Sequence, residues 1–151
     1  MTRILTPDIC VIGAGSGGLS VAAAAAAFGV ETVLVEKGEM GGDCLNYGCV
    51  PSKALIAAGK AAHHAAHSAG LGVTAPHVDI DFAAVNDHVR SVIAAIAPHD
   101  SQERFEGLGV TVIRARARFS DADTVIAGET EIRARRFVVA TGSSPLVPPI
   151  P

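Results

Sequence analysis

Residues 8–18 read DICVIGAGSGG, an acidic residue and four apolar ones running into a glycine-rich turn. The apolar run predicts a short buried strand over Asp8–Ile12, and the alanine-rich stretch after the turn predicts a helix reaching about Phe28, stopped by Gly29. Glu31–Glu36 (ETVLVE) then predicts a second strand. The pattern is a βαβ unit with GxGxxG where strand meets helix. In such a unit Gly13 makes the tight turn, Gly15 lets a pyrophosphate approach the backbone, and Gly18 lets the helix pack closely on the strand. The free N–H groups of the helix N-terminus face the phosphates, and Ser16 adds a hydroxyl. Glu36 stands 18 residues after Gly18, where an acidic side chain accepts hydrogen bonds from an adenosine ribose. Together these features predict a dinucleotide site, and they leave FAD and NAD both open.

The rest of the composition bounds the partners. A chain of 151 residues, 49% hydrophobic and 18% charged, suits one globular domain with a single core. Its net charge of −3 without a basic block gives no electrostatic footprint for nucleic acid or acidic lipid. The N-terminus reaches the glycine turn after few apolar residues, which reads as neither an export signal nor a membrane span, and Leu19–Val30 is too short to span. The expected location is cytoplasmic. In that reducing setting a structural disulfide is not expected to persist, so a close cysteine pair points to redox chemistry or to metal.

Such a pair occurs in Gly41–Lys53, GGDCLNYGCVPSK. A disulfide between Cys44 and Cys49 would need Cα atoms within roughly 7 Å, whereas a regular helix rises about 7.5 Å over that separation and turns the side chains apart. A bridged segment would therefore be irregular. Gly48 permits the distortion, and Pro51 presets the first turn of a following helix, which puts Cys49 at or just before a helix N-terminus, a position that favours a thiolate. A zinc pair is the other reading, but no second ligand pair follows. Cys10, inside the first strand, reads as a buried core thiol.

Farther along, Ala54 to about Ala69 predicts a helix with Lys60, His63, His64 and His67. His63 and His67 share a face, which suits either a metal ion or a plain solvated surface. Gly70–Asp79 predicts a loop. From Asp81 a helix follows with Phe82, Val85, Val89, Val92, Ile93 and Ile96 on one face, interrupted at Pro98, and a short helix capped near Asp100 or Ser101 ends at Gly107. Val110–Ile113 reads as a strand. The next part alternates and turns at Asp121–Asp123 and at Ala127–Glu129, which predicts a three-stranded antiparallel meander. Arg114, Arg116 and Arg118 are placed on one strand face, as are Arg133 and Arg135. Phe137–Ala140 predicts a last buried strand, followed by the turn Thr141–Ser143 and a proline-rich linker.

Three of these stretches carry a resemblance. The thirteen residues Gly41–Lys53, the glycine turn and Ala140–Pro145 (ATGSSP) in register resemble the FAD-dependent pyridine nucleotide-disulfide oxidoreductases, which include dihydrolipoamide dehydrogenase, glutathione reductase and mercuric reductase. The resemblance runs from Asp8 to Pro145. It implies an α/β, Rossmann-like FAD-binding fold, a parallel sheet with helices plus the meander, and an incomplete first segment of a larger enzyme. Residues 1–144 would be the FAD-binding part, and 145–151 a linker toward an NAD(P)-binding domain outside this chain. An interface domain supplying a His and Glu pair across a homodimer would also lie outside it.

By the same resemblance, electrons from NAD(P)H would pass through the flavin to a redox-active Cys44–Cys49 disulfide. From there they would reach a small-molecule disulfide or a metal ion. Cys49 would be the thiolate nearer the flavin and Cys44 the interchange thiol. The cofactor-binding set is Gly13, Gly15, Ser16, Gly18, Glu36, Lys37, Gly42, Asp43, Lys53, Ala117, Thr141 and Gly142, with Lys53 balancing negative charge on the reduced ring. Asp43 stands where many relatives carry threonine, Tyr47 where many carry a small aliphatic residue, and Ala115 where a glycine is usual. An acidic side chain near a pyrophosphate is repulsive unless it turns away or binds water or a cation. A binding module that holds FAD or NAD without turnover is the alternative reading.

Overall fold

The computed structural model describes residues 3–73, 77–144 and 146–150. The loop expectation over Gly70–Asp79 falls partly outside these, at 74–76, as do Pro145 and Pro151 of the expected linker. Strand β1 is Arg3–Leu5 and β2 is Ile9–Ile12, followed by helix α1, Ser16–Ala27, and β3, Thr32–Glu36. Helices α2, Gly42–Asn46, and α3, Cys49–His67, follow, then α4, Phe82–Ile96, and α5, Gln102–Gly107. The chain continues through β4, Thr111–Arg114, β5, Ala117–Phe119, β6, Val125–Ala127, β7, Thr130–Ile132, and β8, Arg136–Val139.

Two four-stranded sheets result, in the orders β4-β3-β2-β8 and β1-β7-β6-β5. Every pair in the first is parallel. Alternation along β2 and β3 explains the layers, because successive side chains leave a strand on opposite faces. Val11 and Leu34 enter one cluster with Leu19 and Ala22 of α1 and with Phe105 of α5. Cys10, Val33 and Val35 enter the other with Val125, Ala127 and Ile132 of the second sheet. The parallel sheet is thus covered by helices on one face and by the meander on the other, which leaves the C-terminal ends of β2, β3 and β8 to frame a site.

The meander forms as expected, with β5, β6 and β7 antiparallel and a tight turn at Gly128–Glu129. The sequence reading missed β1, which pairs parallel with β7 and makes a fourth strand. Three residues carry too little pattern to declare a strand alone, and only the β7 edge completes it. A second correction concerns the arginines. Arg114 ends β4 in the parallel sheet, where its guanidinium donates to the Gly38 carbonyl, while Arg118 sits in β5 of the other sheet. The chain changes sheets at Ala115 and Arg116, so alternation across that stretch does not describe one strand. Likewise Arg133 and Arg135 lie between β7 and β8 rather than within a strand. Strand β8 is a half-exposed edge, with Val139 64% exposed, instead of the buried strand expected.

Helix α4 starts as read, with the Asp81 side chain accepting from the N–H groups of Ala83 and Ala84. It packs against α3, but its apolar stripe is only half-buried and Phe82 remains 63% exposed. Among the described residues no helix is long and apolar enough to cross a membrane, and no group of three or more His, Cys, Asp or Glu side chains is placed to hold a metal. The His63 and His67 rings stack at 4.1 Å between centroids on an exposed stretch of α3.

Candidate functional site: a dinucleotide groove beside a cysteine pair

Four segments converge at the ends of the parallel strands. Gly13 turns the chain out of β2 at φ +107, and a Cβ there would lie 2.7 Å from the Ala140 carbonyl carbon. Only glycine fits where the turn meets the end of β8. Gly18 is equally constrained by space, since a Cβ would press on the Gly13 carbonyl and on Val11. Helix α1 can therefore approach β2 closely. Its N-cap, Gly15, offers no side-chain cap, so the first N–H groups of α1 remain available to a ligand.

The loop after β3 brings the cysteine segment onto this turn. Gly41 donates its N–H to the Ala14 carbonyl at 2.9 Å, and Gly15 and Gly41 form a parallel bridge. Gly42 follows at φ +56, with its backbone against that of Gly15. Glu36 ties the same region from below, accepting at 2.6 Å from the Ala14 N–H and at 2.6 Å from the Gly38 N–H. Each carboxylate oxygen keeps a further lone pair for a ligand.

A groove of about 550 Å³ lies over this junction, lined by Gly13, Gly15, Glu36, Lys37, Gly42 and Asp43 from the expected set. Thr141 and Gly142 after β8 complete it. A smaller cavity of about 200 Å³ shares Gly13, Glu36, Lys37 and Thr141 with the groove and adds Ala115, Arg116 and Ala117. Together they have the size of an ordinary cofactor cleft. The lining also includes Glu39, Asn46 and Tyr47, which pattern reasoning did not propose for it. The Asn46 amide donates to the carbonyls of Met40 and Gly42 at 3.1 and 2.9 Å, which fixes the loop. The Tyr47 hydroxyl donates to Glu39 at 3.0 Å, and this bond raises the tyrosine pKa. The Asp43 carboxylate lies over the Cα of Gly48, where a Cβ would meet it at 2.6 Å. Ser16, Gly18, Cys44, Cys49 and Lys53 do not line the groove.

The cysteines sit on either side of a helix break. Helix α2 ends as the N–H groups of Tyr47 and Gly48 both turn to the Asp43 carbonyl, at 2.9 and 2.6 Å. Helix α3 then begins at Cys49 itself. Both Cys44, half-buried, and Cys49, exposed, are free thiols. Their proximity shows in the acidity of Cys44, whose pKa is raised first by hydrogen bonding to the Cys49 side chain, then by partial burial and by the Cys49 charge. The Cys49 backbone N–H and the Lys53 ammonium pull in the opposite direction. Cys10 is fully buried, which pushes its thiol up to about 12.

The comparisons with known proteins agree with this architecture. The chain is 39% identical over 143 residues to a dihydrolipoyl dehydrogenase of Geobacillus stearothermophilus, covering 92% of this chain and 30% of that protein. It is 31% identical over 143 residues to a mercuric reductase of Lysinibacillus sphaericus, covering 95% of this chain and 26% of that one. The chain therefore spans less than a third of the length of these curated relatives. A solved structure described as a Cu(II) complex of the HOCl-induced flavoprotein disulfide reductase RclA from Escherichia coli shares the fold, with a TM-score of 0.77 at 23% identity over 95% of this chain and 29% of that one. A family model for pyridine nucleotide-disulphide oxidoreductases matches residues 7–151, and this chain belongs to that family.

Proposed function

We propose that this chain is the flavin-binding segment of a reductase in which electrons from NAD(P)H pass by way of FAD to Cys44 and Cys49, and from them to a small-molecule disulfide or a thiophilic metal ion. Residues 1–144 would form the FAD-binding unit and 145–151 would lead toward an NAD(P)-binding domain. The observation that carries this reading is the attachment of the cysteine pair to the glycine turn of a dinucleotide-sized groove, through the Gly41 to Ala14 hydrogen bond and the Gly15–Gly42 contact.

The residues fit the cofactor. A Cβ built on Gly15 would meet only Gly42 Cα, at 3.9 Å, so the space over the start of α1 is open to a phosphate. Lys37 and Arg116 bring positive charge to the lining, and Glu36 has lone pairs left for a ribose. Ala117 and Ala115 line the smaller end, whose size suits a base. Bound there, FAD would supply two-electron exchange between a nicotinamide and a thiol pair, chemistry that no side chain carries alone. In this reading Cys44 is the attacking sulfur; the Cys49 thiol and partial burial raise its pKa, and the Cys49 N–H and Lys53 offset only part of that rise. Cys49 then closes the disulfide and releases the second product thiol.

The test is to add FAD to the purified chain, desalt it, record the absorbance spectrum and titrate with dithionite without oxygen. Retained flavin is expected, with uptake of about four electrons by the oxidised chain and about two by Cys49→Ser. Retained flavin with uptake of about two electrons by both proteins would instead support a binding module without a coupled cysteine pair.

A further inference from the structure

The last turns of α3 carry His63, His64 and His67, on a stretch that lines neither the groove nor the smaller cavity beside it. His63 and His67 are both exposed. Residues four apart share one face of a helix, with Cβ atoms about 5–6 Å apart, and that spacing is the one by which a single helix offers two imidazoles to one metal ion. The two rings already lie against each other, with centroids 4.1 Å apart and planes 22° apart. The His64 ring stands farther off, 6.2 Å from that of His63 and tilted by 59°.

Spacing alone would equally describe a solvated face, but a hydrogen bond adds direction. Nδ1 of His67 lies 2.8 Å from the His63 carbonyl oxygen. A carbonyl only accepts, so Nδ1 carries the hydrogen and, in the neutral ring, Nε2 keeps its lone pair. Metal-bound histidines are held in this way, one ring nitrogen donating to a carbonyl while the other binds the ion. His67 is also the last residue of α3, where the free carbonyls of the final turn carry partial negative charge and favour a cation. Lys60, three residues before His63, brings the opposing charge, on an exposed side chain long enough to extend into water.

We propose that His63 and His67 form a site for a divalent transition-metal ion of the nickel, copper and zinc class, with water completing the coordination. These ions take imidazole readily, whereas magnesium and calcium take oxygen. Binding needs only rotation of exposed side chains, which leaves the helix in place. The site requires neither the flavin nor a working cysteine pair.

The test uses the full chain without an affinity tag and with Cys44→Ser and Cys49→Ser, so that no exposed thiol competes. Ni(II) is titrated at pH 8, above the ordinary imidazole range, and followed by calorimetry. His63→Ala and His67→Ala should each lower the affinity by at least about tenfold, since the second imidazole binds intramolecularly. His99→Ala, outside α3, should leave it unchanged, and excess Mg(II) should not displace the nickel. Alanine is a strong helix former, so circular dichroism of both α3 variants should match the parent, which separates loss of the ligand from loss of the helix. Without metal, long-range proton–nitrogen spectra at pH 8 should show His67 as the Nδ1–H tautomer. No binding, affinity that survives either α3 substitution, displacement by Mg(II), or an Nε2–H tautomer at His67 would overturn the site.

Discussion

Gly15 and Gly42 touch back to back, and replacing each by alanine should separate folding from cofactor binding. At Gly42 a Cβ would sit 2.7 Å from Gly15 Cα and 3.3 Å from Gly15 N, against the 3.4 Å at which ordinary contact begins. Both atoms belong to the backbone, so no flexible side chain can yield. The φ of +56 at Gly42 adds about 1 kcal/mol for a residue with a Cβ, and overpacking adds about 1–3 kcal/mol. A total near 3 kcal/mol, divided by an m-value near 2 kcal/mol per molar urea, lowers the unfolding midpoint by about 1.5 M. At Gly15 the backbone is extended, with φ −83 and ψ −174, and the added Cβ finds open space. Gly15→Ala should therefore unfold within about 0.5 kcal/mol of the parent yet bind FAD much more weakly, because the methyl occupies the approach to the α1 N–H groups. Urea denaturation followed by circular dichroism and flavin fluorescence quenching read the two effects. An unchanged midpoint for Gly42→Ala would refute the tight junction, and full FAD affinity in Gly15→Ala would refute the phosphate cradle.

Three further outcomes follow from the site. Cys49→Ala removes the side-chain hydrogen bond and charge that raise the Cys44 pKa, so alkylation of Cys44 should shift to lower pH, whereas Lys53→Ala should shift it higher; unmoved iodoacetamide profiles would contradict the pairing. Cys10 is raised from 9.0 to about 12 by burial, so its stabilising contribution is complete below pH 9 and falls as pH rises toward 12. By pH 10 the loss is about 1.4 kcal/mol, and unfolding free energies from urea titrations at pH 8 and 10 should differ by that much more in the parent than in Cys10→Ala. Glu36→Ala leaves the N–H groups of Ala14 and Gly38 without their acceptor, which should cost about 1–3 kcal/mol in urea unfolding and weaken FAD binding as well.

The order of the elements and the groove residues were legible in the sequence because local rules dictate them. The alternation in β2 and β3, the positive φ forced on glycines, and the helix stop and start around Gly48 are all properties of short stretches. Gly13, Gly15 and Glu36 could accordingly be assigned to one site before any contact was known, Lys37 and Gly42 joined them through the family resemblance, and the structure brings all five onto one lining. The resemblance of Gly41–Lys53 to a family supplied the chemistry that spacing alone left open between a redox pair and zinc.

Tertiary packing alone decided the remainder. Strand β1 exists only because β7 offers an edge, and the arginines after β4 fall into different sheets because the chain crosses between them at Ala115 and Arg116. The partition of α2 into a groove face and a Cys44 face depends on where α5 docks, 56 residues after Cys44 in the case of Asp100. No local pattern connects Asp100 and Arg104 to that sulfur. They meet it because Phe105 is buried in the α1 cluster, so a core contact places both charges on the lining of a cavity that Cys44 also lines.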